Sequence, residues 1–202
     1  MQTPSEAHLR QMREALDLWP DRIDMANLLP IFVPASFFAL GNWPGPHTRL
    51  RAPDIALTWT VLFPNQTMRY VNFATQRYWE ECDLDWQQIA LQNLAARTSG
   101  HAGVHEIRNE SGGLSAVAFM FEDGLGPSRL LFRASLSEWF PAGYRVAIPE
   151  MSCGVAFARD LDGEPLEKIR TMIEHCYRKG TRPVSPMVYD PEGLLPLEGA
   201  GA

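Results

Sequence analysis

Few residues of this chain stand at spacings that do chemistry, and the segment Asp123-Gly124-Leu125-Gly126-Pro127-Ser128 is the first of them. It leads into a predicted helix from about Arg129 to Trp139 in which Arg129 and Arg133 lie one turn apart. Free backbone N–H groups at a helix start and two guanidinium groups can hold an anion or a carboxylate. Asp123, Gly124, Ser128, Arg129 and Arg133 are therefore the candidate ligand-binding residues. The structural alternative is a strand-to-helix turn with Ser128 as cap and the arginine stems lying over the surface.

Other groupings resolve into bland roles. His101 and His105-Glu106 approach a zinc motif, but His-Glu-x-x-His needs a second histidine where Asn109 stands, and the context reads as a strand. Asp83-Leu84-Asp85 and Asp160-Leu161-Asp162-Gly163 lack the further oxygen ligands of a calcium loop and precede helices, where aspartate caps free N–H groups. Cys153 shares a strand face with Val155 and Phe157, and Cys176 belongs to the apolar stripe of a helix. Buried thiols carry little thiolate, so both are expected to pack rather than react. His175 adjoins Cys176 but points about 100° away on a helix. Cys82 is the accessible thiol and lacks an evident base. There is no nucleophile elbow, phosphate loop with lysine or Cys-x-x-Cys pair. Gly124-Leu125-Gly126 departs from the dinucleotide fingerprint because Arg129 stands where a glycine is needed. The sequence thus assigns no catalytic residue, metal ligand or cofactor.

The elements that position these residues read as an α+β fold. It is a mixed, mainly antiparallel sheet built from hairpins, with helices packed mostly on one face, ending in a strand-helix-strand unit. Thr3-Pro4-Ser5-Glu6 caps a first helix bearing Leu9, Met12, Leu16 and Trp19 and closed by Pro20. Leu28 to Leu40 reads as buried extended chain broken at Pro34, and Gly41 to Pro53 as a long loop. Ile55–Phe63 and Met68–Val71 form a hairpin around Pro64-Asn65-Gln66-Thr67. A short helix spans Phe73 to Cys82. Asp85 then caps a second, with Gln88 as its partner and Trp86, Ile89, Ala90 and Leu94 on its inner face. Trp59, Trp79 and Trp86 cluster around this region as core or as a recognition surface.

A second hairpin, Val104–Arg108 with Leu114–Phe121, turns at Ser111-Gly112-Gly113. The third pairs Arg145–Ile148 with Ser152–Ala158 across Pro149-Glu150-Met151, and Gly154 to Ala158 reads as a central strand covered on both faces. The last helix, about Glu164 to Lys179, has charges that oppose its dipole at both ends and stops at Gly180. Val184 to Tyr189 extends after it. The expected organisation is one α+β domain over residues 1–202, with residues 1–27 as N-terminal helix and linker and residues 198–202 as a frayed tail.

Bulk properties narrow the function classes. The chain has 202 residues, 46% hydrophobic and 21% charged, with 18 basic and 24 acidic groups for a net charge of −6. Such a balance without a basic block argues against general nucleic-acid binding. No signal peptide or bilayer-length apolar run is seen, and three widely spaced cysteines suit reduced thiols, which predicts a cytoplasmic protein with no membrane partner.

Several short motifs resemble the uncharacterised bacterial YtpQ-type family. They are Arg69-Tyr70-Val71, Ala90-Leu91-Gln92-Asn93-Leu94, Asp123-Gly124 with Ser128-Arg129-Leu130-Leu131, Val146-Ala147-Ile148-Pro149, and Gly180 leading to Pro183-Val184-Ser185 and Val188-Tyr189. The similarity covers roughly Leu28 to Leu195 and departs at Glu150-Met151-Ser152, where a polar Asn-Arg-Asp-like triplet is expected. It implies an α+β fold and a bacterial cytoplasmic setting, and it carries no activity. The functional expectation is a non-catalytic protein-binding or regulatory domain, of adaptor or immunity type, that recognises another bacterial protein through an acidic or aromatic surface. The alternative is a hydrolase or transferase acting on a small anionic substrate near Ser128 and Arg129.

Overall fold

A computed structural model describes residues 25–39, 41, 43–63, 67–99 and 102–197. The expected helix from Thr3 to Pro20, the Pro64-Asn65-Gln66 turn, His101 and the tail after Leu197 lie outside the described residues. The α+β class and the hairpin-built antiparallel pairing are both present, and the strands divide between two sheets.

The first sheet is centred on β3 (Ile55–Leu62), a run of β-branched and aromatic residues suited to a buried strand. One edge of β3 pairs antiparallel with β1 (Leu28–Pro34), from Leu28 opposite Val61 to Pro34 opposite Ile55. Its other edge is shared by β2 (His47–Arg49) and β4 (Met68–Tyr70). The Gly41 to Pro53 stretch is therefore not all loop. The free N–H and C=O groups of β3 recruit its three non-proline residues 47–49 as a short strand.

The second sheet has the order β5-β6-β8-β7-β9. β5 (Val104–Arg108) and β6 (Leu114–Phe119) form the expected hairpin, and Gly112 supplies the positive φ of +84° at its turn. β8 (Cys153–Ala158) lies between β6 and β7 (Tyr144–Glu150), covered on both faces as its small apolar sequence requires. The turn between β7 and β8 is displaced from the expected Pro149-Glu150-Met151. Both Pro149 and Glu150 belong to β7, whose register shifts between Ala147 and Glu150. Proline has no N–H for the ladder and is tolerated at such an irregularity. β9 (Val188–Tyr189) pairs with β7, so β8 and β9 run parallel with β7 between them rather than as neighbours.

Helices lie on one face of each sheet. α1 (Phe73–Glu81) and α2 (Trp86–Thr98) place Trp79, Trp86 and Ala90 against Leu28, Trp59 and Val61 of the first sheet. Their starts are fixed by side-chain caps: Asn72 accepts from the Thr75 N–H at 2.7 Å, and Asp85 from the Gln88 N–H at 3.1 Å. α4 (Gly163–Lys179) lays Ile169 and Ile173 on Ala147, Cys153, Val155 and Phe157 of the second sheet. Asp162 stands at its N-cap position without a side-chain hydrogen bond, so the expected capping role is not met there.

Between the sheets Leu29, Ile31 and Val33 meet Val117, Phe119, Val146 and Ile148. The segment after β6 runs through this core as a 3-10 helix, Gly126–Leu131, and then α3 (Arg133–Trp139). The single helix expected from Arg129 to Trp139 is thus broken near Phe132.

Candidate functional site

The Asp123–Arg133 segment is bound tightly to both sheets. A Cβ on Gly126 would stand 2.0 Å from the Phe119 carbonyl oxygen and 2.4 Å from that of Ser152, so only glycine lets the chain approach β6 and the β7–β8 turn this closely. Gly154 makes the reciprocal gap in β8, where a Cβ would lie 2.6 Å from the Pro127 Cα. Ser128 is buried, and its hydroxyl donates to the Pro30 carbonyl of β1 at 2.7 Å rather than capping a helix. The core bond wins because Pro30 sits mid-strand with a carbonyl that must find a donor.

Arg129 has a side chain with 0% exposure, against 11% for Asp123. Its Nη1 and Nη2 donate to the two Asp123 oxygens at 3.0 and 2.7 Å, Nη1 also to the Leu125 carbonyl at 2.9 Å, and Nε to Thr98 Oγ1 at 3.1 Å. The guanidinium lies over the Phe121 ring at 3.9 Å. Four of its N–H bonds are thereby spent inside the fold. Asp123 Oδ1 accepts in addition from the Leu125 N–H at 2.9 Å, which fixes the turn that Gly124 makes with its φ of +68°. An anion could engage Arg129 only by displacing Asp123.

Arg133 goes elsewhere. It opens α3 and meets Glu192 at 3.3 Å on the surface, the pair 40% and 56% exposed. The two arginines have different partners in different elements, so the expected two-guanidinium cradle does not form.

The remaining sequence candidates fall into structural roles. His105 is exposed on β5, and among the described residues no group of three or more His, Cys, Asp or Glu side chains is placed to hold a metal ion. Cys153 is buried; burial, then the neighbouring Cys176 thiol and the Glu150 charge, push its pKa up to about 12. At neutral pH it is a thiol and a poor nucleophile. His175 is exposed on α4 and does not join the two sulfurs. Cys82 is exposed at the end of α1.

Two polar networks were not legible in the sequence. Asp54, just before β3, accepts from both Ser185 Oγ and Tyr189 OH, which themselves lie 2.6 Å apart. Burial, then the bond to Asp54, raises the pKa of the Tyr189 phenol. Glu150 receives the Ser152 N–H at 2.6 Å, the Ser152 hydroxyl, and the Arg182 N–H at 3.1 Å. A Cβ on Gly180 would stand 2.3 Å from the Glu150 Cγ, so Gly180 ends α4 by making room for this carboxylate. Each network is closed by a distant partner, Asp54 for Ser185 and Arg182 for Glu150, which no local spacing announces.

The surface at the α1–α2 corner is of another kind. Phe73, 49% exposed, opens α1 at its far end, and at the corner itself Tyr78 and Leu84 are 40% and 37% exposed. Around them Glu80, Glu81, Asp83 and Asp85 are exposed, with Arg77 the basic residue of the stretch. Beneath lies a rigid aromatic floor: Trp59 and Trp86 meet edge-on at 4.8 Å, and Trp79 and Trp86 at 6.0 Å. The three tryptophans are thus core, while the recognition-like side chains are their neighbours.

Among the described residues no helix is long and apolar enough to cross a membrane. Comparison of the chain with protein-family models, curated proteins and solved structures finds no match.

Proposed function

We propose that the chain is a non-catalytic protein-binding or regulatory domain, of adaptor or immunity type, that recognises a basic surface of another protein through the α1–α2 corner. The observation that carries this reading is the exposure of Tyr78 and Leu84 beside four exposed carboxylates, next to the packed Trp79 and Trp86. Aromatic side chains with little conformational entropy make efficient anchors, and a ring of like charge steers a complementary partner. The inward commitment of Arg129 supports it further, since the best anion-binding residue of the sequence is already used. Kinship with the YtpQ-type family and a bacterial cytoplasmic setting are part of the same proposal and rest on the quoted motifs.

The test is copurification of the untagged full chain from its own cells at low and high salt, beside the variant Tyr78→Ala/Leu84→Ser. A stoichiometric protein with a basic surface should accompany the wild-type chain, leave it at high salt and be lost by the variant. Recovery without a stoichiometric partner across growth conditions, or equal retention by the variant, would overturn the reading.

A further inference from the structure

The two sheets end differently. The outer strand of the first, β1, is buried from Leu28 to Val33, carries Pro30 and Pro34, and has its Pro30 carbonyl taken by the Ser128 hydroxyl. At one end of the second sheet β9 is two residues long. At the other end β5 is five residues long, and His105, Glu106, Ile107 and Arg108 are all exposed. It holds neither proline nor lysine, two residues that commonly keep edge strands from pairing.

Hydrogen bonds on the β6 side fix which backbone groups of β5 are left over. The Gly103 carbonyl accepts from the Met120 N–H at 2.8 Å, and the Asn109 N–H donates to the Gly113 carbonyl at 2.9 Å. Odd-numbered residues therefore bond to β6, and the N–H and C=O groups of Val104, Glu106 and Arg108 point away from it. Among the described residues no strand pairs with them. The side chains divide as well. Glu106 stands opposite Val117, on the side of the core between the sheets, and Ile107 opposite Ala116, on the α4 side.

An open ladder edge accepts another strand, and these side chains select which one. Two copies of β5 related by a two-fold axis can pair through residues 104, 106 and 108 about a centre at 105, 106 or 107. A centre at Glu106 sets two carboxylates directly opposite, and a centre at His105 sets Glu106 against Val104. A centre at Ile107 sets each Glu106 opposite the partner's Arg108. Arg108 already holds Glu106 of its own strand at 2.6 Å, so the four charges alternate in sign around a square. On the other face Ile107, 38% exposed, meets its own copy. We propose that β5 pairs antiparallel with β5 of a second copy of this chain, centred on Ile107, and joins the two five-stranded sheets into one. The contact uses neither Tyr78 nor Leu84 and does not depend on the function proposed above.

Sedimentation equilibrium of the full chain tests the pairing. A contact of one short strand lies at the weak end of specific interfaces, so the mass should rise from 22.7 kDa toward twice that value between about 10 µM and about 1 mM. Glu106→Arg should weaken association on the order of tenfold or more, because it sets like charges opposite in both pairs. The double variant Glu106→Arg/Arg108→Glu should restore it, and should not associate with the wild-type chain, since that mixture sets carboxylate against carboxylate. Circular dichroism reports that each variant is folded. If Glu106→Arg does not fold, Ile107→Lys, which brings two ammonium groups together at the centre, decides by the same loss. A wild-type chain that stays monomeric to about 1 mM, or a dimer that the folded single variant leaves unchanged, would overturn the proposal and leave this edge to water or to a strand of another protein.

Discussion

Arg129 and the exposed apolar side chains of the α1–α2 corner are both of types that recognition can use, and the fold treats them oppositely. Arg129 is dry, held by a carboxylate, a carbonyl and a hydroxyl, and seated on a phenyl ring. Tyr78 and Leu84 are 40% and 37% exposed beside Trp79 and Trp86, which are themselves packed. Charge inside a core is retained only when every neighbour completes it, and such a group then has nothing left for a ligand. An exposed aromatic residue has its contact area still available. The comparison gives the first region a structural role and is what supports the recognition role proposed for the second.

The largest effect that can break this comparison is Arg129→Ala. It leaves the nearly buried Asp123 carboxylate without its partner, and urea denaturation should show a loss of about 3–5 kcal/mol. A loss below about 0.5 kcal/mol, ordinary for a surface position, would return Arg129 to the list of uncommitted groups.

Tyr189→Phe tests a second buried network at smaller amplitude, about 1–2 kcal/mol at neutral pH for the lost bonds to Asp54 and Ser185. The phenol's pKa is raised on folding, so its contribution is complete below the ordinary value of 10.0 and declines as pH rises from there through the folded value. The alkaline loss of stability above that value should therefore be shallower in Tyr189→Phe than in the wild-type chain. A residual slope is expected from Tyr70 and from Cys153, whose pKa values burial also raises, the thiol's share starting from its ordinary value of 9.0.

Thiol labelling sharpens the contrast without a stability change. Cys82 should be labelled by a thiol reagent in the native state, and Cys153 only as fast as the fold opens. Equal native-state rates would mean that the α4 face of the second sheet is accessible. At the corner, Tyr78→Ala/Leu84→Ser should lower stability least, by about 1 kcal/mol per site, because each side chain is more than a third exposed. A larger loss would make the corner structural too.

What the sequence revealed, and what it did not, follows the range of each interaction. The caps at Asn72 and Asp85 act over three residues, and Asp85 was readable from its pairing with Gln88. The covered character of β8 was readable from its own small apolar side chains, and the two cysteines from the apolar residues beside them. Ser128 failed as a cap because its hydroxyl is claimed by Pro30, nearly a hundred residues earlier. Arg129 was expected at the surface because its periodicity sets it beside Arg133, whereas Thr98 and Phe121, from other elements, turn it inward. The Asp123–Arg133 turn is dense in polar side chains, and what each of them does depends on partners that local spacing cannot supply.

The most direct measurement is the thermal stability of the wild-type chain and of Arg129→Lys, each with and without saturating phosphate or acetate. Lysine keeps the charge but cannot reproduce the two parallel bonds to Asp123. A structural Arg129 predicts a clear fall in melting temperature for the variant and no anion-dependent rise in either protein. An unchanged variant, together with a wild-type chain stabilised by the anions and a variant that is not, would contradict it and restore the Asp123–Arg133 turn as a binding site.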